Sequence, residues 1–501
     1  MEVIKKYKTQ LLFHLFLNLV FAIFVTFASY YHLPVYKFSD FGFYLAHFLA
    51  LQFSVFGFLY VLSLNKFVFR IGFPIVFFLF SIVGYWVYSQ DIAITHSIIQ
   101  VTLETKPDIA LDLISLPFIF YVLVSIAVIF LVLRLYSKVK VNPLKSPLIL
   151  LAIIGIASYS FVENYRFGTF NRRLPYNVII ATQDYFEQNS LALKPINTSL
   201  KTNVDSLNVI FILGESIRAD HLQLNGYERN TTPLLSKRDN IISFPKAYTP
   251  LTYTAISVPQ ILTNATLTDD YSQAKYSLIE VLNHANIQTN WIGNQTPEKS
   301  YEVFIEQSQF HKIIDPLHSE LSFQKDYDEK ILPVFETVFK PHQNQFTTLH
   351  MMGSHWWYET RYPDAFRTFK PVIKSKHIPS NTTAEMINSY DNTILYMDHF
   401  VNETIRIAEK QNANTLVIYL SDHGEILGED NLWLHAQPNK ASENPAMIVW
   451  YSNQFAAKYP KVISNLKSRQ TQKIGLDFFF NSILDLYQIK GIPYDQKKVI
   501  F

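Results

Sequence analysis

Leu207-Asn-Val-Ile-Phe-Ile-Leu213 runs straight into Gly214-Glu215-Ser216, and Thr415-Leu-Val-Ile-Tyr-Leu420 runs into Ser421-Asp422-His423-Gly424-Glu425. Short β-branched runs that stop at glycine or at polar residues read as buried parallel strands. Two carboxylates and a histidine then stand just past the carboxyl ends of strands, where open α/β sheets bind ligands. Glu, Asp and His offer hard oxygens and an imidazole, a donor set that suits Zn²⁺ or a similar divalent ion. Taken singly, each motif has a plainer reading, with Asp422 as a helix cap and Glu215 as a solvated loop residue.

Outward from these segments the chain divides in two. The N-terminal third is strongly apolar and rich in Phe and Leu, and the rest has the balance of a soluble globular domain. A length of 501 residues allows more than one domain. A net charge of +2 is close to balance and singles out no partner; nothing suggests nucleic acid. With 0 cysteines, disulfides and thiolate chemistry are excluded, which leaves the compartment open.

About five membrane spans are expected, near Gln10–Tyr31, Phe41–Leu64, Phe67–Ser89, Leu113–Leu135 and Pro147–Val162. Each comes close to the roughly 20 apolar residues that cross a hydrocarbon core. His14, Asn18, His47 and Gln52 lie within spans, and helix–helix contacts explain them better than a proton path, since none is formally charged. Lys5, Lys6 and Lys8, then Lys66 and Arg70, then Arg134, Lys138, Lys140 and Lys145 fill alternate connections. Positive residues face the cytoplasm, so the N-terminus is expected there, with everything after Val162 outside. This gives a membrane domain over 1–162, a connector over 163–204 and a soluble domain over 205–501. In the connector, Tyr165-Arg-Phe and Arg172-Arg173 fit an amphipathic stretch on the membrane face as well as they fit a solvated linker. From about Asp205 strand-like runs alternate with helical patterns, the βαβ signature of a doubly wound sheet.

Further candidate ligands fall at similar places. Thr347-Thr-Leu-His-Met-Met352 leads to Gly353-Ser354-His355, Thr289-Asn-Trp-Ile292 leads to Gly293-Asn294 with Lys299 soon after, and His435 follows the second motif. Several acids and imidazoles at strand ends of one domain point to a joint metal site. A nucleophile is expected in Thr252-Tyr-Thr254-Ala-Ile-Ser257-Val-Pro259, at the start of a helical pattern where the field favours an alkoxide. Chemistry alone leaves Thr252, Thr254 and Ser257 in competition, with simple capping as the plain alternative.

The order Gly214-Glu-Ser-x-Arg-Ala-Asp-His221, Asn225-Gly-Tyr-Glu-Arg-Asn-Thr-Thr-Pro233, Thr254-Ala-x-Ser-Val-Pro259, Gly353-Ser-His355 with Arg361-Tyr-Pro363, and Ser421-Asp-His-Gly-Glu425 resembles the bacterial phosphoethanolamine transferases. These belong to the alkaline phosphatase/sulfatase superfamily. The resemblance implies an N-terminal α-helical membrane domain followed by a periplasmic α/β sulfatase-like domain, anchored in the bacterial inner membrane. It implies a zinc site of Glu215, Thr254, Asp422 and His423, with one zinc or two. It further implies that Thr254 becomes phosphoethanolaminylated, that His355 and His435 hold the phosphoryl group or a second metal, and that Lys299 and Gln295 contact the phosphate. In the loop Ser89–Asp112, Thr105 and Asp108 stand near the positions that meet the donor headgroup. The implied donor is phosphatidylethanolamine and the acceptor a lipopolysaccharide, at lipid A or a core sugar, or another envelope glycan, with the enzyme a monomer among membrane lipids.

Departures are visible. Pro250 and Gln260 stand where lipid A enzymes place cysteines, Ala436 replaces the usual glycine after His435, and Val101 replaces an asparagine. A membrane-bound phosphoglycerol transferase or a phosphodiesterase of the same superfamily is the alternative enzyme. A sulfatase activity requires Cys or Ser in a C/S-x-P-x-R context, absent at the nucleophile position. A non-catalytic membrane sensor is the third reading, and retention of every candidate ligand argues against it.

Overall fold

The computed structural model describes all residues except 1, 32, 34, 36, 91–93, 96, 97, 100–115, 141, 167, 168, 187–190, 317, 319–324, 375–377, 379, 380, 436 and 437. The chain forms two compact units, Met1–Gln188 with Lys374–Ser380, and Asn189–Ile373 with Asn381–Phe501.

The first unit is helical: α1 (Glu2–Phe24), α2 (Phe38–Leu62), α3 (Lys66–Gln90), α4 (Leu116–Tyr136), α5 (Leu148–Arg166) and the shorter α6 (Tyr176–Phe186). Among the described residues five helices, α1 to α5, are long and apolar enough to cross a membrane. The first ends at Phe24, short of the expected Tyr31, because the chain tightens into a 3₁₀ turn over Thr26–Ser29. Phe13, Phe21, Phe69, Phe73 and Phe77 fill the helix interfaces. The polar residues within spans bond between helices, as expected. His14 meets Ser63 Oγ at 2.9 Å, Asn18 and Gln52 exchange bonds with each other's backbone at 3.2 and 3.0 Å, and Tyr30 meets His47 at 2.6 Å. Tyr165-Arg166 closes α5, and Arg173 donates to the Ser29 carbonyl at 2.9 Å, which ties this stretch to the 3₁₀ turn that follows α1.

The second unit is built on β1 (Asn208–Gly214), β2 (Ile241–Ser243), β3 (Ala247–Tyr248), β4 (Gln288–Gly293), β5 (Phe310–Ile313), β6 (Gln345–His350), β7 (Thr415–Ser421), β8 (Ile426–Leu427), β9 (Trp433–Leu434), β10 (Met447–Tyr451) and β11 (Ile474–Gly475). Its helices are α7 (Thr254–Ile261), α8 (Leu278–His284), α9 (Glu302–Gln307), α10 (Ile331–Val338), α11 (Thr383–Lys410), α12 (Asn453–Lys458), α13 (Pro460–Arg469) and α14 (Phe478–Leu486). Among the described residues the main sheet has seven strands in the order β2-β10-β7-β1-β6-β4-β5. The five from β7 to β5 are parallel, and β10 is antiparallel to both of its neighbours. Every residue of β1 and β7 is buried. Both faces of these strands are therefore covered, which explains why their sequences read as unbroken apolar runs. One face packs Phe211, Leu213, Trp291, Phe346 and Ile418 against α7, α8 and α14. The long α11 starts with a reciprocal cap in which Glu385 N donates to Thr382 Oγ1 and Thr382 N donates to Glu385 Oε2.

Candidate metal and transfer site

The parallel register aligns Gly214 with Ser421 and Leu213 with His350, so β7, β1 and β6 end side by side. Glu215 and Asp422-His423 therefore leave neighbouring strands at one level. Glu215, Asp422 and His423 each present a ligand atom within 4.8 Å of the others, and all three are fully buried. Ser216 directly after Glu215 has φ of 60°. Tyr390 of α11 holds this kink, donating to the Ser216 carbonyl at 2.6 Å and accepting from Arg218 N at 2.9 Å.

Four groups converge on Glu215. Ser216 Oγ donates to Oε1 at 2.7 Å; Thr254 Oγ1 and Gln295 Nε2 donate to Oε2 at 2.9 and 3.0 Å; His423 Nε2 lies 3.4 Å from Oε1. Asp422 accepts from His423 N at 2.8 Å and from Ser216 N at 3.3 Å. Thr254 is the first residue of α7. Ser257 lies one turn further on the same helix face, and its hydroxyl is 3.4 Å from Asp422 Oδ2. Of the three rival hydroxyls, Thr254 meets Glu215 and Ser257 meets Asp422. The i, i+3 geometry of the helix lets both of these hydroxyls face the cluster.

His423 Nδ1 is 2.8 Å from the Gly424 carbonyl, so this nitrogen carries the proton. Nε2 then turns a bare lone pair toward two carboxylates and has no hydrogen-bond partner. That arrangement is repulsive unless a cation or a carboxyl proton lies among the three groups. The charges agree. Burial, and then the charge of Glu215, push Asp422 well above the usual carboxylate range. Burial works the same way on Glu215, which falls below that range only through the charge that His423, His355 and His435 bring when protonated. Two carboxylates this close do not both stay ionised without a counter-charge.

A second group of side chains borders the first. The His435 ring is 4.7 Å from the His423 ring and 5.7 Å from the His355 ring. His435 Nδ1 meets Glu425 Oε2 at 2.9 Å, and Tyr358 donates to Glu425 Oε1 at 2.6 Å. Burial disfavours the charged imidazole, but Glu425 prevails and pushes His435 up to about 9. His355 is held down to about 3, chiefly by burial. The structure thus brings Glu215, Thr254, Gln295, Asp422, His423, His355 and His435 together. Lys299 stands in the turn between β4 and α9. Thr105 and Asp108 lie outside the described residues. Glu425, Tyr358, Tyr390 and Ser216 were not singled out from the sequence. Ser216 and Glu425 were visible inside the two strand-end motifs; Tyr358 and Tyr390 act through tertiary contacts.

Fold and site together define a member of the alkaline phosphatase/sulfatase superfamily that carries an appended membrane unit. Residues 207–489 match the sulfatase family and residues 52–189 match the family described as phosphoethanolamine transferase EptA/EptB, so the chain belongs to the sulfatase family and, within it, to the phosphoethanolamine transferases. Phosphoethanolamine transferase EptA of Escherichia coli K12 is 27 % identical over 462 residues, 83 % of each chain. The integral membrane protein lipooligosaccharide phosphoethanolamine transferase A from Neisseria meningitidis shares the fold over 98 % of both chains, with a TM-score of 0.57 at 24 % identity. The C-terminal periplasmic domain of EptC from Escherichia coli, solved in complex with zinc, has a TM-score of 0.54 at 25 % identity, covering 62 % of this chain and 90 % of that one.

Proposed function

We propose that this protein transfers phosphoethanolamine from phosphatidylethanolamine to a lipopolysaccharide, at lipid A or a core sugar, or to another envelope glycan, through a covalent intermediate on Thr254. One observation carries the reading: the Thr254 hydroxyl lies 2.9 Å from Glu215 Oε2 within the buried Glu215/Asp422/His423 cluster. The names of the relatives support the reaction class, and the apolar helices suit a donor that is itself a membrane lipid. The basic residues in alternate connections support a cytoplasmic N-terminus and a periplasmic catalytic unit in the inner membrane.

Glu215, Thr254, Asp422 and His423 would hold a zinc ion. The bare His423 Nε2 facing two carboxylates is the observation that fits such an ion. When bound, zinc supplies positive charge that lowers the hydroxyl pKa and offsets charge building on the phosphoryl oxygens. The chain's own groups do the rest. Thr254 Oγ1 attacks the phosphorus, the bond to the diacylglycerol oxygen breaks, and phosphoethanolamine remains on Thr254. Glu215 Oε2, already accepting the Thr254 hydrogen bond, orients the hydroxyl, whose proton passes to solvent. His435, kept protonated by Glu425, gives one to the departing diacylglycerol oxygen. In the second half an acceptor hydroxyl or phosphate oxygen attacks the same phosphorus, His435 regains its proton from the hydroxyl or, for a phosphate, from solvent, and Thr254 leaves and regains its proton. His355, Lys299 and Gln295 orient the phosphoryl group, and Thr105 and Asp108 are read as neighbours of the donor ammonium.

The test uses the full-length protein with phosphatidylethanolamine and no acceptor. The peptide carrying Thr254 should gain one phosphoethanolamine. Thr254→Ala should lose the adduct and lower transfer by at least about a thousandfold, whereas Thr254→Ser should keep a part because the hydroxyl survives. An adduct on Thr252 or Ser257, or full transfer by Thr254→Ala, would overturn the assignment.

A further inference from the structure

We propose that Asp328 is a positioning residue that locks the loops after β4 and β6 into one frame, so that Gln295 and His355 meet the phosphoryl group beside Glu215. This rests on the transfer reaction proposed above. Asp328 opens a 3₁₀ turn before α10 and is 2 % exposed. Its Oδ1 accepts from Asn294 Nδ2 at 2.9 Å and from Met352 N at 2.8 Å, and its Oδ2 accepts from Gly353 N at 3.0 Å. Asn294 directly precedes Gln295, whose amide donates to Glu215. Met352 and Gly353 lie just before His355. One carboxylate therefore fixes the two segments that deliver these side chains.

The clamp also bears on Glu215. Gly353 has φ of +55°, and a Cβ there would lie 2.9 Å from both the backbone N and O of Glu215. Ser354 N donates to the Glu215 carbonyl at 3.0 Å. The loop after β6 is thus pressed against the metal-ligand backbone, and Asp328 holds it there through the two amides that precede Ser354. The task needs three acceptor positions and no donor, which an ionised carboxylate meets and an amide does not. Bonds from amides to a charged oxygen are also roughly twice as strong as neutral ones. Asp328 is placed to act through other residues, so its effect belongs on the chemical step rather than on donor capture.

Asp328→Asn keeps the shape but turns an amino group toward one of the donors. In full-length protein with phosphatidylethanolamine, zinc per chain should stay constant and the donor KM should hold within about twofold. The single-turnover rate of Thr254 adduct formation should fall about tenfold to a hundredfold, as for groups that orient metal-site neighbours. Asn294→Ala removes only the β4 arm and should give a smaller loss of the same kind. If Asp328→Asn does not fold, Asn294→Ala decides the matter alone. Wild-type rates per zinc-loaded chain in the variants, whatever their melting temperatures, would overturn the positioning role. A wild-type protein that forms no adduct would overturn the transfer reading and this proposal with it.

Discussion

His423 is held so that its chemistry is settled before any ligand arrives. Nδ1 is committed to the Gly424 carbonyl, and Nε2 faces the oxygens of Glu215 and Asp422. Alanine at Asp422 or at His423 should strip most of the zinc from the purified protein, since each removes one of the donors proposed for it. Thr254→Ala should retain more metal, because the two carboxylates and the imidazole remain. Zinc content unchanged in both Asp422→Ala and His423→Ala would mean the metal lies elsewhere. At this scale the strand-end motifs were legible because the ligands follow their strands directly, at 215 and at 422–423. Which hydroxyl meets which acid was not legible, because the helix face, not the sequence distance from Thr254, decides what Ser257 meets. Asp328 and Tyr390 gave no local signal. A lone Asp before a helical pattern reads as a cap, and only the folded chain brings it to Gly353.

Elements were read more surely than their ends. Apolar length announced the five long helices, and a 3₁₀ turn, to which hydropathy is blind, shortened the first. The sheet's parallel core was legible from its unbroken runs, whereas the antiparallel β10 was not, since its Met447–Tyr451 run looks like any buried strand. Helix crossing offers a sharper test. At Gly57 of α2 a Cβ would sit 2.6 Å from the Ala152 carbonyl, and at Gly155 of α5 it would sit 2.5 Å from the Phe53 carbonyl. The two glycines let these helices approach backbone to backbone. Alanine at either position should destabilise the full-length protein by about 1–3 kcal/mol, the usual cost of overpacking, despite alanine's better helix propensity. Gly42 of α2 has nothing within 4 Å of its Cβ position and is the control. Gly42→Ala should leave the melting temperature level or raise it. Equal behaviour of all three variants would remove close packing as the reason for Gly57 and Gly155.

For the whole molecule, the contrast between an apolar third and a balanced remainder announced a membrane part and a soluble part. The orientation prediction belongs here. Reporter fusions after Lys140 and after Asn203 should report opposite sides of the membrane, the first cytoplasmic and the second periplasmic. Signals from the same side would contradict five crossings before the catalytic unit. The arrangement of the sheet was less legible, because β1 finds its neighbours in β6 and β7, far along the chain. Ser216 and Asp422, which bond across the cluster, lie 206 residues apart. That separation has a consequence for how the protein is made. Translation delivers Glu215 and Thr254 long before Asp422 and His423, when the apolar helices have already left the ribosome. A stop codon anywhere between Thr254 and Asp422 yields a product that keeps the five long apolar helices and Thr254, yet lacks Asp422 and His423, half of the donors proposed for the metal. Inheritance of such an allele would look normal in a test of membrane insertion and null in a test of transfer.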